Sequence, residues 1–155
     1  MIMNQEIFRE YDIRGVVDKD FNGAFAKTLG KAFATYLVKR GGKAPLKVSV
    51  GHDARLSASY LYNAMIDGLT ESGVQVFKLG LVTTPLSYFS TFSMPLTGAI
   101  MITGSHNPPD YNGFKISFGQ ATIFGEEIQK IKKIIIDNDF IKGAKKGSVE
   151  EVDIF

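Results

Sequence analysis

The chain has 155 residues, no cysteine and a formal net charge of +2, with 45% hydrophobic and 22% charged residues. That length points to one domain, large enough to bury about two-thirds of the surface its unfolded chain exposes. The composition excludes disulfides and cysteine-based zinc sites, and no basic run exceeds two residues to suggest nucleic-acid binding.

No apolar run reaches the ~20 residues needed to span a bilayer, and the N-terminal MIMNQEIFRE carries acidic residues where a signal peptide needs an apolar core. The expectation is a soluble cytoplasmic protein with neither a nucleic acid nor a membrane as partner.

The first pattern is a short β-prone segment, IFREYDIRGVV (7–17). Asn22 then stands as an N-cap before AFAKTLGKAFATYLVKR, in which Phe25, Leu29, Phe33 and Leu37 recur every four residues on one helical face. Lys39 and Arg40 suit the C-terminal end of the helix dipole, and Gly41-Gly42 stops the helix. KVSVGHD (47–53) reads as a buried strand ending in polar residues. A helix follows from Ser57 or Ser59, with Leu61, Met65 and Leu69 facing inward and Gly73 closing it.

VQVFKLG (74–80) is another strand, and Thr84-Pro85 reads as an N-cap and first-turn pair opening a short helix through Tyr88 and Phe89. GAIMI (98–102) has no polar alternation and predicts a central strand covered on both faces. FKISF (114–118) alternates, and the connection to it is too short for a helical crossover, so it is expected to return antiparallel. A last helix, EEIQKIKKIIID (126–137), opens on two glutamates, as the dipole prefers, and ends at Asp137-Asn138-Asp139. The polar, glycine-containing remainder reads as a linker. The alternation of strands and helices predicts an α/β fold with a mixed, mostly parallel sheet covered by helices on both faces.

Ligands of open α/β sheets gather at the carboxyl ends of the strands. Two polar segments fall there, GHDARLS after KVSV and TGSHNPPDYNG after GAIMI. The second places Ser105 among glycines and asparagines, whose backbone N–H groups can turn inward around an anion. Lys115 supplies a point charge nearby, and Arg14 offers a planar fork of donors suited to phosphate. Together they predict an anion site with a hydroxyl at its centre.

Neither GxxxxGK[ST] nor a GxGxxG after a strand is present, and the serine lacks the GxSxG of a nucleophile elbow. His106 is adjacent to Ser105 in sequence, an awkward place for its base, so a hydrolase triad would have to use His52 with an aspartate.

FREYDIRGVV (8–17), GHDARLSAS (51–59) and TGSHNPPDYNGFK (103–115), in that order, resemble the N-terminal domain of the α-D-phosphohexomutases, the phosphoglucomutase and phosphomannomutase family. The third stretch is close to the T-[AG]-S-H-N-P phosphoserine signature, the first matches the opening strand almost residue for residue, and the second is a looser match. The resemblance covers nearly the whole chain. It implies a three-layer α/β/α first domain over residues 1–140, with 141–155 a linker toward a second domain absent from this chain.

The resemblance also implies an isomerase that interconverts hexose 1-phosphate and hexose 6-phosphate through a hexose 1,6-bisphosphate. Ser105 would carry the phosphoryl group, which adds about −1.5 to −2 charge. Arg14, Lys115 and His106 would serve the transfer, while Tyr11 and Asn107 would contact phosphate or substrate. Arg55 would brace the neighbouring loop. Mg2+ would bind the serine phosphate, with its remaining ligands in the second domain. Phosphoryl transfer relies on alignment and charge compensation, which fits this inventory. The isolated domain would then be inactive without the rest of its polypeptide. The alternative is a stand-alone module that binds phosphate or sugar phosphate without catalysis.

Overall fold

The computed structural model describes residues 1–143 and 145–155. Asn22 leaves an extended segment and its Oδ1 accepts the Phe25 N–H at 3.1 Å, so helix α1 (Gly23–Lys39) begins where the sequence marks it. The helix ends in a Schellman pair: Gly42 N–H donates to Leu37 O and Gly41 N–H to Val38 O, with Gly41 at φ +99°. Phe25, Leu29, Phe33 and Leu37 are fully buried. Burying one such phenylalanine stabilises the fold by about 2–3 kcal/mol.

Strands β2 (Lys47–His52), β3 (Gln75–Leu81) and β4 (Gly98–Ile102) are parallel and linked by helices α2 (Ala58–Glu71) and α3 (Thr84–Ser93). β5 (Tyr111–Phe118) returns antiparallel to β4, and β1 (Ile13–Val16) pairs with its far edge. The short β6 (Ala121–Thr122) pairs with β5 and leads to helix α4 (Glu126–Ile136). With β7 (Val149–Glu151) outside β3, the order is β1-β5-β4-β2-β3-β7. Among the described residues only β5 runs against the other strands, so the sheet is mixed and mostly parallel, as expected.

Strand alternation divides the core. Val48, Val50, Ile100, Ile102, Phe114 and Ile116 join α1, α2 and α4 in the main cluster. Met101, Leu79 and Val82 face the other way, toward Leu86 of α3. Phe21, Phe25 and Phe114 meet with ring centroids 5.6–6.2 Å apart, tying α1 to the antiparallel flank. No helix among the described residues is long and apolar enough to cross a membrane.

Besides β5, which starts at Tyr111 and not at Phe114, three segments differ from the sequence reading. The β-prone 7–17 segment divides into a 3-10 turn, Gln5–Ile7, capped by the Asn4 side chain, and a β1 that starts only at Ile13. Between them Arg9 N–H bonds back to Asp12 O at 2.9 Å, which uses up extended pairing. The cap of α3 is Thr83, one residue earlier than read. Pro85 is tolerated in the first turn because its N–H would have no partner in the helix.

The third difference is the tail. Residues 141–155 are not wholly a linker: β7 satisfies the open edge of β3, with Val76 N–H on Ser148 O at 2.8 Å and Val152 N–H on Lys78 O at 3.0 Å. An edge of unpaired backbone groups attracts a strand whatever its polarity, so even the exposed VEE sequence pairs there.

Candidate active site

Two loops meet at the carboxyl ends of β2 and β4. Asp53 N–H bonds to Ile102 O at 2.9 Å, and Asp53 Oδ2 accepts the Gly104 N–H at 2.9 Å. Ser105 N–H donates to Thr103 Oγ1 at 3.0 Å, and both the backbone and side-chain amides of Asn107 donate to Gly104 O, at 3.0 and 2.9 Å. Ser105 itself is exposed and sits at φ +53°. A non-glycine residue in the left-handed region costs about 1–2 kcal/mol, so the surrounding bonds have to hold it there.

These bonds correct one expectation. The N–H groups of Gly104, Ser105 and Asn107 are satisfied within the two loops, so they do not form an open anion-binding nest. Positive charge at this end of the sheet comes from side chains instead.

Arg55 is the hub of the loop. Nη2 donates to Ser105 O at 3.2 Å and Asn107 O at 2.7 Å; Nη1 donates to Tyr111 O at 3.2 Å and also to Pro108 O. Nε faces Asp53 Oδ2 at 3.4 Å, and the side chain is only 15% exposed. The guanidinium lies flat against the backbone: a Cβ on Gly104 would be 2.0 Å from Nε.

Arg14 and Lys115 lie on neighbouring strands. Arg14 is in register with Gly113 and Lys115 with Met101. Ile13, Phe114 and Ile116 point into the main core, so both cations point to the opposite face of the sheet, which Met101 shares. Asp12 stands between them, Oδ1 3.7 Å from Arg14 Nε and Oδ2 3.7 Å from Lys115 Nζ. On that face a cavity of about 430 Å3 is lined by Asp53, Thr83, Met101, Thr103 and Ser105 among others. A larger open hollow of about 890 Å3 lies beside α4 and contains none of the predicted residues.

Of the remaining predicted residues, His106 is exposed beside Ser105 and Asn107 is half-buried in the loop. Tyr11 stands apart from this bonded network: it is 70% exposed, with its ring 6.4 Å from that of Phe124. His52 rests edge-on against Tyr62, centroids 4.6 Å apart, with Nδ1 2.8 Å from Asp53 O. It faces α2, across the sheet from the Met101 cavity, which removes the hydrolase-triad reading.

The sequence reading missed Asp12, Asp53 and Thr103 as members of the site. The alternation Asp12-Ile13-Arg14 places acid and cation on one face and was the available signal for Asp12. Nothing local in GHDARLS announces that Asp53 reaches Gly104, a contact 51 residues away in sequence.

Among the described residues, no group of three or more His, Asp or Glu is placed to hold a metal ion. Asp53, the carboxylate within the loop network, is engaged by Gly104 N–H and Arg55. The described side chains therefore do not make up a magnesium site by themselves.

Residues 5–142 match the family model described as phosphoglucomutase/phosphomannomutase, alpha/beta/alpha domain I. A phosphoglucomutase of Neisseria gonorrhoeae is 42% identical over 152 residues, 98% of this chain and 32% of that protein. A phosphomannomutase/phosphoglucomutase of Pseudomonas aeruginosa is 43% identical over 148 residues, 96% of this chain and 31% of that protein. The crystal structure of a phosphoglucomutase/phosphomannomutase family protein from Burkholderia thailandensis superposes with a TM-score of 0.90 at 40% identity, covering 99% of this chain and 34% of that one. The chain thus spans about a third of the length of the curated relatives it matches. It belongs to the phosphoglucomutase/phosphomannomutase family and corresponds to that family's alpha/beta/alpha domain I.

Proposed function

We propose that this chain is the phosphoserine-bearing part of a hexose-phosphate mutase, with Ser105 as phosphoryl carrier. The observation that carries the reading is Ser105 itself: an exposed hydroxyl, held at φ +53° by a bonded loop, at the carboxyl ends of the strands. Family membership supplies the reaction class.

In the first half-reaction the Oγ–P bond of phosphoserine breaks and a bond forms from a free sugar hydroxyl of the hexose monophosphate to that phosphorus. The sugar hydroxyl loses its proton, and Ser105 ends as the neutral alcohol. The product is a hexose 1,6-bisphosphate, which reorients and returns its other phosphoryl group by the reverse step. Lys115 and Arg14 provide cationic charge on the face used by the serine, and Asp12 keeps the pair together. His106 and Asn107 border the nucleophile in the loop; Tyr11 contributes only if substrate reaches as far as Phe124. Mg2+, if bound, would be held on this chain's side by an oxygen of the Ser105 phosphate, with other ligands from the remaining polypeptide, and would supply charge compensation to the transferring phosphoryl group. The remaining polypeptide would also complete the grip on the hexose phosphate.

Intact-mass analysis and peptide mapping after exposure of the full-length polypeptide to glucose 1,6-bisphosphate test the assignment. One added phosphoryl group on the Ser105 peptide, absent in Ser105→Ala, is the expected result. Phosphate on a different residue, or labelling indifferent to Ser105→Ala, would sink it.

A further inference from the structure

We infer that Arg55 is a positioning residue for phosphoryl transfer at Ser105, a role that rests on the reading of Ser105 as carrier. A guanidinium has five N–H donors, and here the four on its two Nη atoms are engaged. The four on Nη1 and Nη2 meet the carbonyls of Ser105, Asn107, Pro108 and Tyr111, while Nε faces Asp53. Neither Nη atom has a donor left over for a phosphate, and Nε lies against a carboxylate. A cation with its fork fully engaged by backbone carbonyls cannot also clamp the substrate, so Arg55 acts through the loop.

What it holds is the backbone of the nucleophile. Ser105 O is one of its four acceptors, and Ser105 is the one loop residue with a side chain at positive φ. The same Asp53 carboxylate that pairs with Nε receives Gly104 N–H, so Arg55 holds the peptide after Ser105 and Asp53 holds the Thr103–Gly104 peptide one residue before it. Removing the guanidinium takes a donor from four carbonyls at once, only Pro108 O keeping the Tyr111 N–H, and removes the bond to the carbonyl of the left-handed Ser105. Lysine at this position would bring a point charge with three donors and no planar fork, so it would not restore the arrangement.

The test uses the full-length polypeptide carrying this chain, assayed for turnover of glucose 1-phosphate. Arg55→Ala and Arg55→Lys should both lower kcat by about 100-fold, the scale of a misplacement near 1 Å, with KM within about threefold of wild type. Added guanidinium ion should restore part of the kcat of Arg55→Ala. Amide hydrogen exchange should accelerate at Gly104, Ser105 and Asn107 while Ile100 in β4 stays protected, which separates loop loosening from unfolding. A kcat near wild type in Arg55→Lys overturns the positioning role, as does unchanged loop exchange in Arg55→Ala. A Ser105→Ala control distinguishes the two readings: full turnover there removes the carrier assignment itself, whereas a dead Ser105→Ala beside a fully active Arg55 variant removes only the positioning role.

Discussion

Gly68→Ala should destabilise the chain even though alanine is the better helix former. Gly68 lies inside α2 where that helix crosses α1, and a Cβ there would sit 2.0 Å from Lys27 O and 2.9 Å from its carbon. Ordinary contacts of a Cβ begin near 3.4 Å, so the two helices would have to part by roughly 1.4 Å, against backbone that cannot swing aside. Overpacking of this kind costs about 1–3 kcal/mol, and a backbone obstacle puts it at the upper end. Alanine returns about 1 kcal/mol through helix propensity. The net loss is about 2 kcal/mol, which for a urea slope of about 2 kcal/mol/M lowers the midpoint by about 1 M.

Gly30, on the facing side of α1, supplies an internal scale. Its Cβ would come 2.8 Å from Met65 O, a milder overlap that the propensity gain should largely offset. Urea unfolding followed by circular dichroism checks both. A Gly68→Ala midpoint at or above wild type, or one higher than that of Gly30→Ala, would refute the claim that backbone proximity decides this crossing.

Two further outcomes concern buried hydroxyls. Ser90 Oγ donates to Ser87 O at 2.6 Å, so its single proton is committed and Ser49 is the donor in their 2.9 Å bond. Ser90→Ala should therefore strand the fully buried Ser49 hydroxyl and cost about 1–3 kcal/mol, with Ser49→Ala costing less; equal losses in chemical denaturation would contradict the donor assignment. Burial first, then the bond to Glu127, pushes the Tyr36 hydroxyl up to about 12 from an unfolded value of 10.0. A raised acid favours the folded state fully below pH 10 and loses that advantage between pH 10 and about 12. Tyr36→Phe should lack this part of the alkaline stability loss, read from melting temperature against pH; identical alkaline limbs would refute it.

The elements most legible in the sequence are those whose signals are local. Asn22, the four-residue spacing of Phe25 through Leu37 and the Gly41-Gly42 stop all act within one helix, and α1 follows from them nearly residue for residue. GAIMI announces a doubly covered strand because all five residues are buried, and the short link to FKISF dictates the antiparallel return. The tail was misread because its strand is caused by a distant vacancy, the free edge of β3, and not by anything in VEE itself. Extended backbone in 7–17 was overestimated for the converse reason: Asn4 and Asp12 divert the chain through side-chain and turn bonds that compete with a ladder.

The site was legible as an inventory and not as an arrangement. Ser105, Arg14 and Lys115 could be named from their positions at strand ends, and strand alternation does place the two cations on one face. The sequence does not distinguish a cation that is free to meet an anion from one already committed. Arg14, Lys115 and Arg55 look alike as letters, yet both Nη atoms of Arg55 are bonded to backbone carbonyls while Arg14 and Lys115 share one carboxylate at 3.7 Å, beyond hydrogen-bonding range. Weak pairing keeps those two side chains close without satisfying their donors, so an arriving phosphate gains charge-assisted bonds without first breaking strong ones. Under the proposed reading, Arg55 would hold the Ser105 loop and the loosely paired Arg14 and Lys115 would receive the charge. That division depends on contacts 50 to 56 residues apart in sequence, which is why it emerges only once the two loops are brought together.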